Sequence, residues 1–293
     1  MVSILRTSGT LLIALLLVPV LLGDFAAFQL GLFLLYGMAS LGVGLAWGRA
    51  GFLPLGQSLF FGAAAYLAGA VLLHVPGGFT AKLALLTLIP IAMSLLAFGA
   101  AWIIFLRQSE SGPYFSLITL ALAMVAEQVA GTATELTGGF NGMGGIPSLG
   151  NLDPFGNYYY LIVITVVVVS TLLLCFDRLP AGLLSRSIAD NESRLRVFGF
   201  PTHTLKAVIF GFSAFPAGIA GVLFSSHQGI VTPFSIGFLM SAQMVIWTAV
   251  GGRFHALGPL LGAVAIGLLG AEAGSYCSLG SGNRARLYWR GRP

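Results

Sequence analysis

Charge is the scarcest property of this sequence: Asp, Glu, Lys and Arg together make up 8 % of its 293 residues. A soluble domain carries about a quarter, because its surface must be wet, so a fully water-exposed protein is excluded. Cysteine is nearly missing too. Cys175 lies in an apolar stretch and Cys277 near the end, which offers neither a disulfide framework nor paired metal-ligand spacing. His74, His203, His227 and His255 are dispersed, so no metal site is expected. There is no Gly-x4-Gly-Lys-Ser/Thr phosphate loop, and no Ser, Cys or acidic residue stands in a nucleophile–base arrangement. No catalytic residue and no cofactor are therefore assigned to this chain.

What the sequence does have is grease in measured lengths. Hydrophobic residues make up 57 %, in blocks close to the roughly 20 residues that cross a hydrocarbon layer about 30 Å thick. Stretches 11–23, 25–48, 52–73, 83–106, 114–131, 157–176, 205–224, 237–252 and 255–271 fit. The expected fold is all-α, a polytopic transmembrane bundle of about nine apolar segments. Starting with Arg6 inside and crossing at each segment, Arg49, Arg107, the basic residues from Arg178 to Lys206, and Arg253 all fall on the inner side. The outer loops then hold no Lys or Arg apart from Lys82 at a segment edge, which agrees with the positive-inside rule. The net charge of +5 is accounted for by this topology and does not call for nucleic acid.

No low-complexity linker or internal period divides the chain, so residues 1–271 are taken as one transmembrane domain, with 177–206 as a cytoplasmic segment. Residues 272–293 break the pattern. Arg284, Arg286, Arg290 and Arg292 crowd an end that the alternation puts outside, and the expectation is a further short segment, or a truncation or frameshift. Arg6 followed by an apolar run also fits a cleaved leader, although no small-x-small site follows and Asp24 comes early.

Forty glycines are costly in helices in water, at about 1 kcal/mol each relative to Ala. In lipid they allow close helix approach, as for the pair Gly258 and Gly262. Pro54, between Gly51 and Gly56, gives two readings of 48–66: a helix broken at membrane depth, which marks transporter pathways, or a cytoplasmic turn before an ordinary helix. Residues 135–156 form a Gly-rich outer loop expected to need positive φ. Glu127, an acid inside an apolar segment, either faces a cavity or reaches the headgroups; its place near the outer end favours the headgroups.

The densest charge lies between Asp177 and Lys206, which hold eight of the chain's charged residues. The stretch is punctuated as a helix. Asp190 is placed to cap, Glu192 lies in the first turn, and Arg194 and Arg196 lie in the last, as the helix dipole favours. Gly199 can end it and Pro201 stops continuation. Charge together with Leu195, Val197, Phe198 and Phe200 suits docking to a protein; a helix on the inner leaflet or a solvated loop are the other readings.

Five stretches, in order, resemble the permease family of bacterial ATP-binding-cassette importers for branched-chain amino acids and urea. They are GRAGFLPLGQSLFFGAAAY (48–66), GPYFSLITLAL (112–122), LTGGFNGMGGIP (136–147), DNESRLRVFGF (190–200), and FPAGIAGVLF followed by VIWTAVGGRFHALGPLLGAV. Pro54 and Ala189 depart from the family pattern, which has a small polar residue and an arginine there, and the family continues through another apolar segment where this chain has its tail. The resemblance implies a permease subunit moving branched-chain amino acids across the bacterial inner membrane, with urea or short amides as the alternative. From the residues alone, a self-sufficient carrier or channel remains a third reading. It further implies a homologous permease partner, cytosolic ATPase subunits that bind ATP and Mg, and a periplasmic binding protein. Asp190, Asn191, Glu192, Arg194, Arg196 and Gly199 would then couple to the ATPase. Gly56, Gln57, Phe61, Tyr66, Thr137, Gly138, Asn141 and Gly142 would lie along the translocation pathway.

Overall fold

A chain crossing lipid must satisfy its backbone polar groups internally, which leaves helices as the simplest solution for apolar blocks of this length. The computed structural model describes residues 23–76, 78–107 and 113–271, with Leu12, Leu15, Leu16 and Pro19, and takes that solution. Its helices are α1 (Asp24–Val43, continued by a π-helical turn Gly44–Arg49), α2 (Gln57–His74), α3 (Phe79–Arg107), α4 (Pro113–Thr132), α5 (Asn157–Phe176), α6 (Pro180–Val197), α7 (Thr202–Gln228), α8 (Phe238–Gly251) and α9 (Gly258–Ala271). Among the described residues, with α1 and its π turn taken as one, six helices are long and apolar enough to span, namely α1, α2, α3, α4, α5 and α7; α8 and α9 are shorter apolar helices. Most of segment 11–23, the tail after Ala271 and Cys277 lie outside the described residues.

α7 is the hub, packed most extensively on α3, then on α2 and α1. Glycine makes those approaches possible. A Cβ on Gly42 would overlap the Ser213 carbonyl, and one on Gly221 the Phe61 carbonyl, while one on Gly218 would lie 2.9 Å from Pro90 Cα. The expected pair Gly258 and Gly262 does this for α9: a Cβ on either would run into the α8 backbone or the turn that follows it, at Gly251, Gly252 and the Trp247 carbonyl. Aromatic rings fill the wider gaps. Tyr36 stacks on Trp247 at 5.3 Å, and Phe61 packs on Phe224 at 5.1 Å.

α1 and α7 are largely buried, whereas α4 is the least buried span. Its outward face, including Leu117, Leu122, Val125 and Val129, is left for lipid or another chain. The turn reading of 48–66 holds. α1 with its π turn ends at Arg49, Gly51 turns the chain at φ 78°, and α2 begins at Gln57, so the break lies between two helices.

The loop 133–156, expected on the outer side, is folded back in turns. Gly138, Gly139, Gly142, Gly145 and Gly150 all have positive φ, as its composition predicts. β1 (Met143–Gly144) pairs antiparallel with β2 (Ile230–Val231), Met143 opposite Val231, and Ile146 N–H donates to the Gly229 carbonyl at 3.1 Å. Lys82, the basic residue at the outer edge, donates to the Leu72 carbonyl at 2.9 Å and so satisfies the C-terminal end of α2.

Candidate functional site

The charged segment is one helix by extent but two by geometry. Asn191 adopts φ −161° and ψ 92°, which breaks α6 between Asp190 and Glu192. Its Oδ1 accepts the Arg194 N–H at 2.9 Å and the Ser193 hydroxyl at 2.7 Å. The cap is thus Asn191 and not Asp190, one residue later than expected. Both types cap well, and the non-helical backbone decides between them. Glu192 then opens the short second piece, and Arg194 and Arg196 close it.

Its end matches the expectation for Gly199. Gly199 has φ 85°, its N–H bonds the Arg196 carbonyl at 3.0 Å, and Phe200 N–H bonds the Leu195 carbonyl at 3.2 Å. That pair of bonds is a Schellman motif. Leu195 is buried, while Leu183, Val197 and Phe198 are exposed, so the segment presents apolar side chains beside its charges.

Two ion-pair centres tie this segment to the spans. Glu192 accepts from Lys206 Nζ at 2.7 Å and from Arg196 at 3.2 Å. Lys206, in the first turns of α7, is fully buried, with its ammonium 4.7 Å over the Phe105 ring. At the second centre Asp177, just past α5, is gripped by both Arg49 arms, Nε to Oδ1 at 2.7 Å and a second guanidinium nitrogen to Oδ2. Arg186 of α6 approaches Oδ2 at 3.5 Å, and Arg49 also donates to the Phe254 carbonyl. Sequence reasoning missed the role of Arg49, Asp177 and Lys206. The signal was their charge at segment ends, but their partners stand far off in the chain. Ala189 lies against Gly51, where a Cβ would be 3.1 Å from both its Cα and Cβ.

The proposed pathway residues fall into three groups. Gln57 is fully buried and donates to the Ser213 carbonyl at 2.7 Å, and its Oε1 meets no donor among the described residues. Gly56 lies against the Thr119 carbonyl and lines an apolar cavity of about 300 Å³ with Phe60, Met93 and Phe210. Phe61 and Tyr66 are buried in the helix core, Phe61 in the aromatic cluster with Tyr36 and Phe224. Next to Gln57, Ser58 shares a 2.6 Å hydroxyl contact with Ser241 and donates to the Gly237 carbonyl at 3.0 Å, which clamps α2 to the start of α8.

The third group sits in the outer loop. Thr137 donates to the Ala130 and Ala133 carbonyls at 2.6 and 2.7 Å and anchors the loop on α4. Gly138 and Gly142 take the positive-φ positions that let the chain fold back, with Gly142 against the Val231 carbonyl, and Asn141 is exposed between them.

Below Asn141, Phe140 helps line a cavity of about 610 Å³ with Met124, Glu127, Gln128, Pro233 and Phe234. Glu127 faces this cavity. Its carboxylate packs on Gly237, where any Cβ would overlap it, at the N-terminal end of α8. Among the described residues no group of His, Cys, Asp and Glu could hold a metal.

A family model described as branched-chain amino acid transport system / permease component matches residues 25–279. The chain is 28 % identical over 259 residues to the high-affinity branched-chain amino acid transport system permease protein LivM of Escherichia coli (strain K12), covering 79 % of this chain and 59 % of the relative. The LivM protein of Salmonella typhimurium is 28 % identical over 258 residues, with the same coverage. The LivH permease protein of E. coli (strain K12) is 26 % identical over 108 residues, 37 % of this chain and 34 % of the relative. The matched part thus spans about three-fifths of the LivM proteins' length. No solved structure matches the chain significantly.

Proposed function

Because this chain belongs to the permease-component family of branched-chain amino acid transport systems, we propose that it is the membrane-spanning permease subunit of an ATP-driven importer, and that it moves branched-chain amino acids across a bacterial inner membrane. The observation that carries the reading is the family match, which takes in α1 to α9 together with the cytoplasmic segment.

In this reading ATP is bound and hydrolysed with Mg on separate cytosolic subunits. The α6 segment is the face they grip, through Leu183, Val197 and Phe198 around Arg194 and Arg196, which are exposed. Movement of α6 passes to α7 through Glu192 and Lys206, which are in direct contact. A homologous permease subunit would cover a free face such as that of α4, and a periplasmic binding protein would deliver substrate to the outer loop.

Deletion of the gene tests this directly. Uptake of labelled leucine is expected to fall and to be competed by isoleucine and valine. Undiminished leucine uptake in the deletion strain would overturn the reading, and competition by urea instead would assign the chain to urea transport.

A further inference from the structure

Glu127 presents an unusual problem for a spanning helix. A carboxylate inside an apolar segment is costly unless something answers its charge. Among the described residues it forms no ion pair, the four bridges being those of Asp177 and Glu192. Lys82, the basic residue at the outer edge, is bonded to the Leu72 carbonyl. The N-terminal end of α8, against which the carboxylate packs, favours negative charge there but supplies no full cation. The absence of a side chain at Gly237 admits the carboxylate to that position.

The surrounding walls are of a different kind. Met124, Phe140, Pro233 and Phe234 are apolar, while Gln128 adds an amide and Thr132 and Thr232 add hydroxyls. The volume of about 610 Å³ lies within the roughly 300–1,000 Å³ of small-molecule sites. A ligand that complements this pocket carries a cation beside a compact apolar group, with an acceptor for the amide N–H.

We propose that this outer pocket is an entry subsite for a zwitterionic aliphatic amino acid, with its ammonium on Glu127, its carboxylate toward the Gln128 amide and its branched chain against Phe140 and Phe234. The proposal rests on the importer reading and deepens it, because a neutral amide such as urea has no charge to set against Glu127.

Gly131 lines the same pocket and has open space where a Cβ would go, so Gly131→Cys provides a reporter. The assembled importer, with Cys175 and Cys277 changed to Ser, is labelled from outside with a membrane-impermeant maleimide. Leucine is expected to protect the thiol, and 4-methyl-2-oxopentanoate, which lacks the ammonium, is not. With Glu127→Gln the leucine concentration for half-protection should rise about tenfold to a hundredfold, the scale of one lost charged hydrogen bond, while Glu127→Asp retains part of the effect. Equal protection by the oxo acid, or an unchanged half-protection with Glu127→Gln, would overturn the subsite. If Glu127→Gln lowers the yield, the comparison of the two ligands on the chain with Glu127 intact decides alone. Leucine uptake by the same cells separates the two readings: uptake without Glu127-dependent protection removes only the subsite, and no uptake removes the importer reading.

Discussion

Lys206 Nζ lies 2.7 Å from Glu192 Oε1, with the lysine side chain wholly buried and the carboxylate nearly so. The pair joins the charged helix α6 to the spanning helix α7 across a point where the chain has just turned at Gly199 and Pro201. Removing one member of a buried pair leaves an unanswered charge, at a cost of about 3 kcal/mol or more. Glu192→Gln should therefore lower unfolding stability in detergent by about that amount, and Lys206→Met in the same chain should recover much of it. A double-mutant cycle with no coupling would show that the contact contributes nothing. Reversing Glu192 to Lys is a poor probe of docking for the same reason, because it sets a cation against Lys206.

A cleaner test of docking uses side chains that hold nothing else together. Val197 and Phe198 are 86 % and 72 % exposed, and substitutions at such positions usually change stability by less than about 0.5 kcal/mol. Val197→Asp with Phe198→Ser is expected to keep yield and melting behaviour and to reduce co-purification of an ATPase subunit at least about tenfold, if those residues are anchors of about 1–2 kcal/mol each. Undiminished co-purification would remove them from the interface.

Glycine substitutions should divide sharply by position. Gly42→Ala forces a methyl into the Ser213 carbonyl and the Gln57 amide, whereas Gly99→Ala meets nothing within 4 Å. Overpacking costs about 1–3 kcal/mol, so Gly42→Ala should lose that stability and Gly99→Ala should lose none. Comparing their thermal midpoints in the same micelle checks the division.

Arg49 grips Asp177 with two arms and reaches the Phe254 carbonyl with a third contact. A lysine cannot reproduce that fork. Arg49→Lys is expected to cost about 1.5–3 kcal/mol, the worth of charged hydrogen bonds, despite keeping the charge. Unfolding that matched the unaltered chain would show that charge alone suffices.

How much of this was legible beforehand follows from how far each interaction reaches. α1 to α5 and α7 can be read from the sequence because bilayer length and apolar composition are local, and the ending at Gly199 can be read because a Schellman turn is made by neighbours. Glycine packing was legible as a composition, and at Gly258 and Gly262 as a position. Asp190 and Asn191 are both good caps, and only the kink shows which one is used. Arg49 with Asp177 was not readable, since 128 residues separate them; nor was the β1–β2 ribbon, which is two residues long on each side. The packing of Glu127 was not readable, because the open position at Gly237 lies far along the chain.

α7 carries attachments at both of its ends. Near its start Lys206 holds the α6 segment, and just past its end Gly229 and β2 hold the outer loop beside the Glu127 cavity. At 27 residues it is about 40 Å long, enough to span the bilayer as one helix, with Pro216 inside it. The contact with α6 and the anchorage of the loop beside the Glu127 cavity are thus carried on one continuous helix, which α6 joins through the Glu192–Lys206 pair.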